Sequence, residues 1–211
     1  MYKIRKLYKS KLLSYFMKHL FLDIETMPLK ITHEDVKTYL MDKKITKEKR
    51  SLDPNYSQII LIGTKIQDEM NFFSGEEKTM LQEFWNYVKE KQPTKIITYN
   101  GYKFDIPFLL LRSYTHTIKV PININMNRWN MNSSNHFDVM LVFSHNEIFL
   151  NPNLEILGKM HGIEIPGEQI SGRDIEKLYA QNQLDTINEK CKHDLEILEQ
   201  LFEKICFPSL Q

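Results

Sequence analysis

Along the chain, short apolar runs come first and long amphipathic stretches follow. Leu20 to Ile24 is brief, apolar and β-prone, and reads as a buried strand; Gln58 to Ile66 (QIILIGTKI) reads as a second and Asn71 to Phe73 as a third. Glu76 to Lys91 sets Met80, Leu81, Phe84, Trp85 and Val88 on one helical face, and Lys95 to Tyr99 returns to strand character. Beyond it the strands stop and the spacing predicts helices over Asp105 to Tyr114, Phe137 to Ser144, Leu154 to His161, Asp174 to Gln181 and Asp185 to Ile205. An Asn-rich loop covers Pro121 to Asn135, and a charged segment from about 29 to 56 reads as an insertion between the first two strands. Three or four early strands with later helices predict one α/β domain, with a C-terminal half that is mostly helical.

Composition narrows the class. With 42% hydrophobic residues, 26% charged, and few Gly and Pro, the 211-residue chain can bury a full core, which excludes fibrous and unstructured readings. The longest apolar cluster, Ile106 to Leu111, falls far short of the roughly 18 residues a membrane span needs. Cys191 and Cys206 are too few for a disulfide framework and sit at helical spacing among apolar residues, so a reducing, cytoplasmic setting is expected. The net charge of +1 hides an asymmetry, since Lys3, Arg5, Lys6, Lys9, Lys11 and Lys18 have no acid among them. We read residues 1–16 as a basic N-terminal extension and 17–211 as the domain. The extension is either a nucleic-acid-facing or transit-like arm, or sequence upstream of a natural start at Met17.

Four carboxylates carry the candidate chemistry. Asp23 and Glu25 stand two apart at the end of the first strand, so the strand period points both to the same face. Like charges so close raise each other's pKa unless a cation lies between them. Asp105 follows a strand end and a Gly turn and precedes Pro107, which fits an N-cap as well as a ligand. Asp194 lies on the stripe Ile187, Cys191, Asp194, Leu198, Leu201 and Ile205, where an ionised acid is costly unless it is metal-bound or paired, for example with Lys190 one turn earlier. Each acid alone has an ordinary structural role. One arrangement accounts for all four: a two-metal site that displaces at a phosphodiester.

The motifs that hold these acids resemble those of the DEDD superfamily of 3′-to-5′ exonucleases. Phe21-Leu22-Asp23-Ile24-Glu25-Thr26 is similar to the first motif, Tyr99-Asn100-Gly101-Tyr102-Lys103-Phe104-Asp105 to the second, and Cys191-Lys192-His193-Asp194 to the third. The resemblance runs from about Lys18 to Phe202 and looks closest to the proofreading domain of family B DNA polymerases and its stand-alone relatives. Supporting details are Leu52-Asp53-Pro54 to Ile62-Gly63, Gly75-Glu76-Glu77 ahead of the helix with Trp85, and His136-Phe137-Asp138.

The resemblance implies an RNase H-like fold, with a mixed β-sheet flanked by α-helices, and a Mg²⁺- or Mn²⁺-dependent exonuclease that acts on single-stranded DNA or RNA 3′ ends. It implies that Asp23 bridges two ions, that Glu25 and Asp194 complete the site of the attacking water, and that Asp105 serves the second ion. Asn100 and Phe104 would line the path of the terminal nucleotide, and Lys103 is a candidate phosphate contact. The chain departs from the pattern where tyrosine or histidine is expected four or five residues before the last Asp, since Lys190 and Glu189 stand there. Lys190 then touches the scissile phosphate, or Glu189 or another segment positions the water, or activity is lost. Two rival classes therefore stay open: an inactive nucleic-acid-binding module and an RNase H-like endonuclease. The absence of a glycine-rich phosphate loop argues against ATP-driven chemistry.

Three further features remain. His193 is expected at the surface, because its helix position turns it about 100° from Asp194. Asp138 is expected to cap a helix or to support the substrate. Met126, Arg128, Trp129 and Met131 either hold a single strand or form a satellite cluster.

Overall fold

The computed structural model describes residues 19–130, 133–164 and 170–206. The basic extension, the start at Met17, Lys18 and Met131 lie outside the described residues.

The sheet is built around β1 (His19–Pro28). Its neighbours are β2 (Ser57–Ile66), which pairs with it antiparallel, and β4 (Lys95–Thr98), which pairs parallel. β3 (Glu69–Ser74) lies outside β2, and β5 (His136–Asp138) lies parallel outside β4, giving the order β3-β2-β1-β4-β5. This is the mixed sheet the sequence led us to expect, and it belongs to an α/β fold with a helical C-terminal half.

Alternation along β1 feeds two cores. Leu20, Leu22 and Ile24 pack on one face with Met80, Leu81, Phe84, Trp85 and Val88 of α3 (Glu77–Lys91) and with Ile106, Phe108 and Leu109 of α4 (Asp105–Thr115). Phe21, on the other face, packs with Ile187, Cys191, Leu195, Leu198, Leu201 and Phe202 of the long helix α8 (Leu184–Cys206). The period of two therefore aims Asp23 and Glu25 at the α8 side, with apolar residues at every intervening position. Each of these buried side chains contributes on the order of 1.5–3 kcal/mol.

The charged insertion forms α1 (Glu34–Asp42) and α2 (Lys47–Ser51) between β1 and β2, as expected. The short helices α5 (Val139–Phe143), α6 (Leu154–Met160) and α7 (Ile175–Ala180) precede α8.

Two expectations need correction. Strands do not stop after β4: His136–Asp138 is a fifth strand, and the helix expected from Phe137 begins only at Val139. Three residues are too few to display a period, so the strand is invisible beside the apolar run that follows it. β1 also runs past Ile24 to Pro28, with a register shift between Glu25 and Thr26.

Candidate active site

β4 ends at Thr98, while β1 continues, so Asp23 and Glu25 stand beyond the carboxyl end of the neighbouring parallel strand. In open α/β sheets ligands bind in that crevice. The chain leaves β4 through a tight turn in which Asn100 adopts a left-handed φ of 61°. A Cβ on Gly101 would stand 2.2 Å from Thr98 Oγ1, so only glycine lets the turn fold back on the strand. Asp138 fixes the turn from below: its carboxylate accepts from the amides of Asn100 (2.9 Å) and Tyr102 (3.0 Å) as well as from Met140 (3.0 Å) at the start of α5. The expected capping is therefore present, and the same carboxylate also secures the second motif.

Asp105 emerges from this turn as the first residue of α4. It does not cap the helix, because the N-cap position belongs to Phe104 and carries no side-chain bond. Asp105 is 3% exposed, and burial, with Asp138 and Glu25 nearby, pushes its carboxyl up to about 8.

From the other side, α8 brings Asp194. Gly63, directly opposite Asp23 in β2, makes this possible, since a Cβ there would fall 2.2 Å from Cys191 Sγ. A glycine inside a strand is a recognisable sign of such close approach. Asp23, Glu25 and Asp194 each offer an oxygen, and these oxygens lie within 4.8 Å of one another. Asp105 stands outside this trio but close enough to act electrostatically on Asp23.

The trio is short of positive charge. Asp23 Oδ2 is inaccessible and has no hydrogen-bond partner. Burial, then Asp194 and Glu25, raise the Asp23 carboxyl well above its ordinary value, and burial also raises that of Glu25. Lys190 donates from one ammonium to Glu25 Oε1 at 2.5 Å and to Asp194 Oδ2 at 2.8 Å. Burial works against its charge, but Glu25, Asp194 and Asp23 overcome that and hold it well above the usual lysine range. One ammonium still leaves a partnerless oxygen on Asp23. Hard oxygen donors crowded this closely are a donor set that suits a divalent cation.

A groove of about 680 Å³ opens onto the acids, lined among others by Asp23, Glu25, Phe104, Ser51, Arg173 and Lys190. Lys190 also lines a second groove of about 330 Å³ with Asp194 and Asn153, so its side chain stands on the wall between them. Phe104 thus lines the groove with the acids, whereas Lys103 is not among the groove's lining residues and pairs with Glu147. Glu147 also holds Arg128 at 3.2 Å, whose guanidinium lies 5.0 Å from the centre of the exposed Trp129 ring; Met126 instead packs partly buried on the core. His193 is half-buried, and Glu189 points outward to Lys192, 3.5 Å away. Sequence reasoning missed the pairing of Glu147 with Lys103 and Arg128, and the groove wall formed by the insertion, Lys47 and Ser51 included. A lone acid in a polar stretch carries no signal. Gly63 did carry one.

Comparison with known proteins agrees with this geometry. The family described as "Predicted 3'-5' exonuclease related to the exonuclease domain of PolB" matches residues 55–198. The chain is 30% identical over 106 residues to DNA polymerase 1 of Pyrococcus abyssi, covering 49% of this chain and 14% of the polymerase. It is 44% identical over 46 residues to a DNA polymerase of Pyrococcus glycovorans, covering 22% of this chain and 6% of that protein. The chain therefore spans only a small part of the curated relatives it matches. The family B DNA polymerase of the hyperthermophilic archaeon Pyrobaculum calidifontis shares the fold with a TM-score of 0.68 at 17% identity, over 89% of this chain and 24% of that one. With its sheet, its helices and most of its length accounted for in this way, the chain belongs to the family of predicted 3′-to-5′ exonucleases related to the exonuclease domain of PolB.

Proposed function

We propose that the domain, residues 17–211, is a divalent-metal-dependent 3′-to-5′ exonuclease that releases nucleoside monophosphates from single-stranded DNA or RNA ends. The observation that carries the reading is the trio Asp23, Glu25 and Asp194, oxygens within 4.8 Å, with an inaccessible, partnerless oxygen on Asp23. Asp23, Glu25 and Asp194, with Asp105 beside them, would hold the ions. The chemistry that two divalent ions supply on such donors is Lewis-acid stabilisation of charge at the phosphate during in-line displacement by water.

The chain's own residues do the rest. Phe104, in the groove beside the acids, offers a ring face to the terminal base, and base–aromatic stacking contributes about 1–3 kcal/mol per base. Asn100, pinned through its amide by Asp138 in the turn ahead of Phe104, would approach the terminal nucleotide from that turn. Lys190 offers its ammonium to the phosphate as a positive charge, since an ammonium is a compact point charge and a poor base. Lys103, half exposed and paired with Glu147, offers a further positive charge to the phosphates of the strand.

A second reading, an inactive nucleic-acid-binding module, is favoured by one observation: Lys190 stands at the position of the expected tyrosine and already bonds two of the acids. Degradation of 5′-labelled single-stranded DNA and RNA in Mg²⁺ or Mn²⁺ separates the two. The expected result is a ladder shortening from the 3′ end, reduced at least ~100-fold in Asp23→Asn and Asp194→Asn. Retained binding without cleavage would establish the binding module, and internal cuts would establish an endonuclease.

A further inference from the structure

We propose that Lys190 is the resident counter-cation of the acid cluster, so that a divalent ion gains Glu25 and Asp194 only by displacing its ammonium. The inference rests on the reading that these acids take divalent ions, and it deepens that reading by naming the residue that sets how strongly they do so.

The geometry carries it. Lys190 and Asp194 are one turn apart on α8, so their pairing is built into the helix, while Glu25 is brought by β1 from 165 residues away in sequence. The ammonium therefore ties the strand to the helix at the point where the acids converge. The Lys190 side chain is 13% exposed, Glu25 7% and Asp194 14%, so this is an interior pair in which charge must be matched. Asp23 Oδ2 receives no bond from Lys190 or from any other group. The ammonium thus bonds two of the three acids and leaves one oxygen of the third, Asp23 Oδ2, without a partner.

Two consequences follow. Without metal, the Lys190 charge holds the cluster together, and the protein folds in a chelator. With metal, the ion competes against an ammonium tethered within bonding distance, so loading at Glu25 and Asp194 is weakened relative to a site with a neutral residue at 190. Once displaced, the ammonium has an outlet, since Lys190 lines both grooves and can swing toward a bound phosphate.

The test is Mn²⁺ binding to the full chain, by calorimetry and by the electron paramagnetic resonance of free Mn²⁺, in wild type, Lys190→Gln and Lys190→Arg. Lys190→Gln is expected to bind Mn²⁺ about 10- to 100-fold more tightly than wild type, and Lys190→Arg to remain weak. In EDTA, Lys190→Gln should melt well below wild type, and Mn²⁺ should raise its Tm by more than it raises that of wild type. If Lys190→Gln folds only with Mn²⁺ present, that too supports the proposal. If it folds in neither condition, Lys190→Tyr serves in its place. Identical isotherms and identical Tm responses with and without the lysine charge would overturn the idea.

Nuclease assays keep the two readings apart. Tighter Mn²⁺ binding in Lys190→Gln with no cleavage by any variant would remove the exonuclease and leave the counter-cation. Metal-dependent cleavage with unchanged Mn²⁺ binding would do the reverse.

Discussion

Among the described residues, the carboxylate of Glu77 and the acids around Asp23 form two contrasting centres, and burial does not distinguish Glu77 from Glu25 or Asp105. Glu77, at the start of α3, is 7% exposed; Glu25 is 6% and Asp105 3%. What differs is the supply of partners. Glu77 accepts from Arg112 through both oxygens (2.9 and 2.6 Å), from the Ile59 amide at 2.7 Å, and lies 2.7 Å from His116 Nε2. Burial pushes its carboxyl up, but the bonds from Arg112, His116 and Ile59 outweigh that and leave it below its ordinary value. Around Asp23 burial is joined by three other acids and one lysine, and the carboxyls of Asp23 and Glu25 rise. An acid whose partners are complete is finished as structure. A group of acids that is short of cation is prepared to receive one.

The comparison can be broken most forcefully by removing charge at each centre. Glu77→Gln leaves Arg112 buried without its counter-charge and should cost about 3–5 kcal/mol, read as a large fall in Tm. Asp23→Asn replaces a carboxyl whose ionised form is disfavoured by burial and by Asp194 and Glu25, so in EDTA its Tm should equal or exceed that of wild type. Equal losses in the two variants would mean that the centres are not different in kind.

A pH titration of metal-free stability sharpens the contrast. Asp105 gives up its proton near 3.8 when unfolded but only near about 8 when folded. The folded state therefore binds more protons between those values. Its contribution is full below about 4 and is lost as pH rises through about 8. Glu77 behaves oppositely: its contribution is present above about 4.5 and is lost as pH falls below it. In EDTA, Tm should therefore drop between pH 5 and pH 9 by the equivalent of a few kcal/mol, and Asp105→Asn or added Mn²⁺ should flatten the drop. A flat profile in EDTA for the unmodified chain would contradict the charge shortage.

The smallest expected effect lies in the contact that seats α8. In Gly63→Ala the new methyl meets Cys191 Sγ at 2.2 Å, which should cost about 1–3 kcal/mol and move Asp194 away from Asp23 and Glu25. Thermal melts and Mn²⁺ affinity should fall together. Unchanged Mn²⁺ affinity would mean that the close approach of helix and strand is not what assembles the acids.

Much of this was legible before the fold. Met80, Leu81, Phe84, Trp85 and Val88 share a face at 3.6 spacing because a helix must bury one stripe, and all five are buried. Asp23 and Glu25 share a face because a strand alternates. Asp194 stood out because it interrupts an apolar stripe, and its pairing with Lys190 at i, i+4 follows from helix geometry alone. The fifth strand was hidden by its length of three residues. The dual role of Asp138 was hidden because its partners Asn100 and Tyr102 lie 38 and 36 residues away.

Local sequence thus determined which residues form strands and helices and which acids stand where an acid is costly, because periodicity and propensity act over a few neighbours. Tertiary structure decided the rest: that Lys190 also reaches Glu25, that Glu77 is completed by Arg112 while Asp23 is not, and that Gly63 admits Cys191 beside the acids. Charge balance in a buried site is a sum over groups brought from distant parts of the chain, and no single segment contains it.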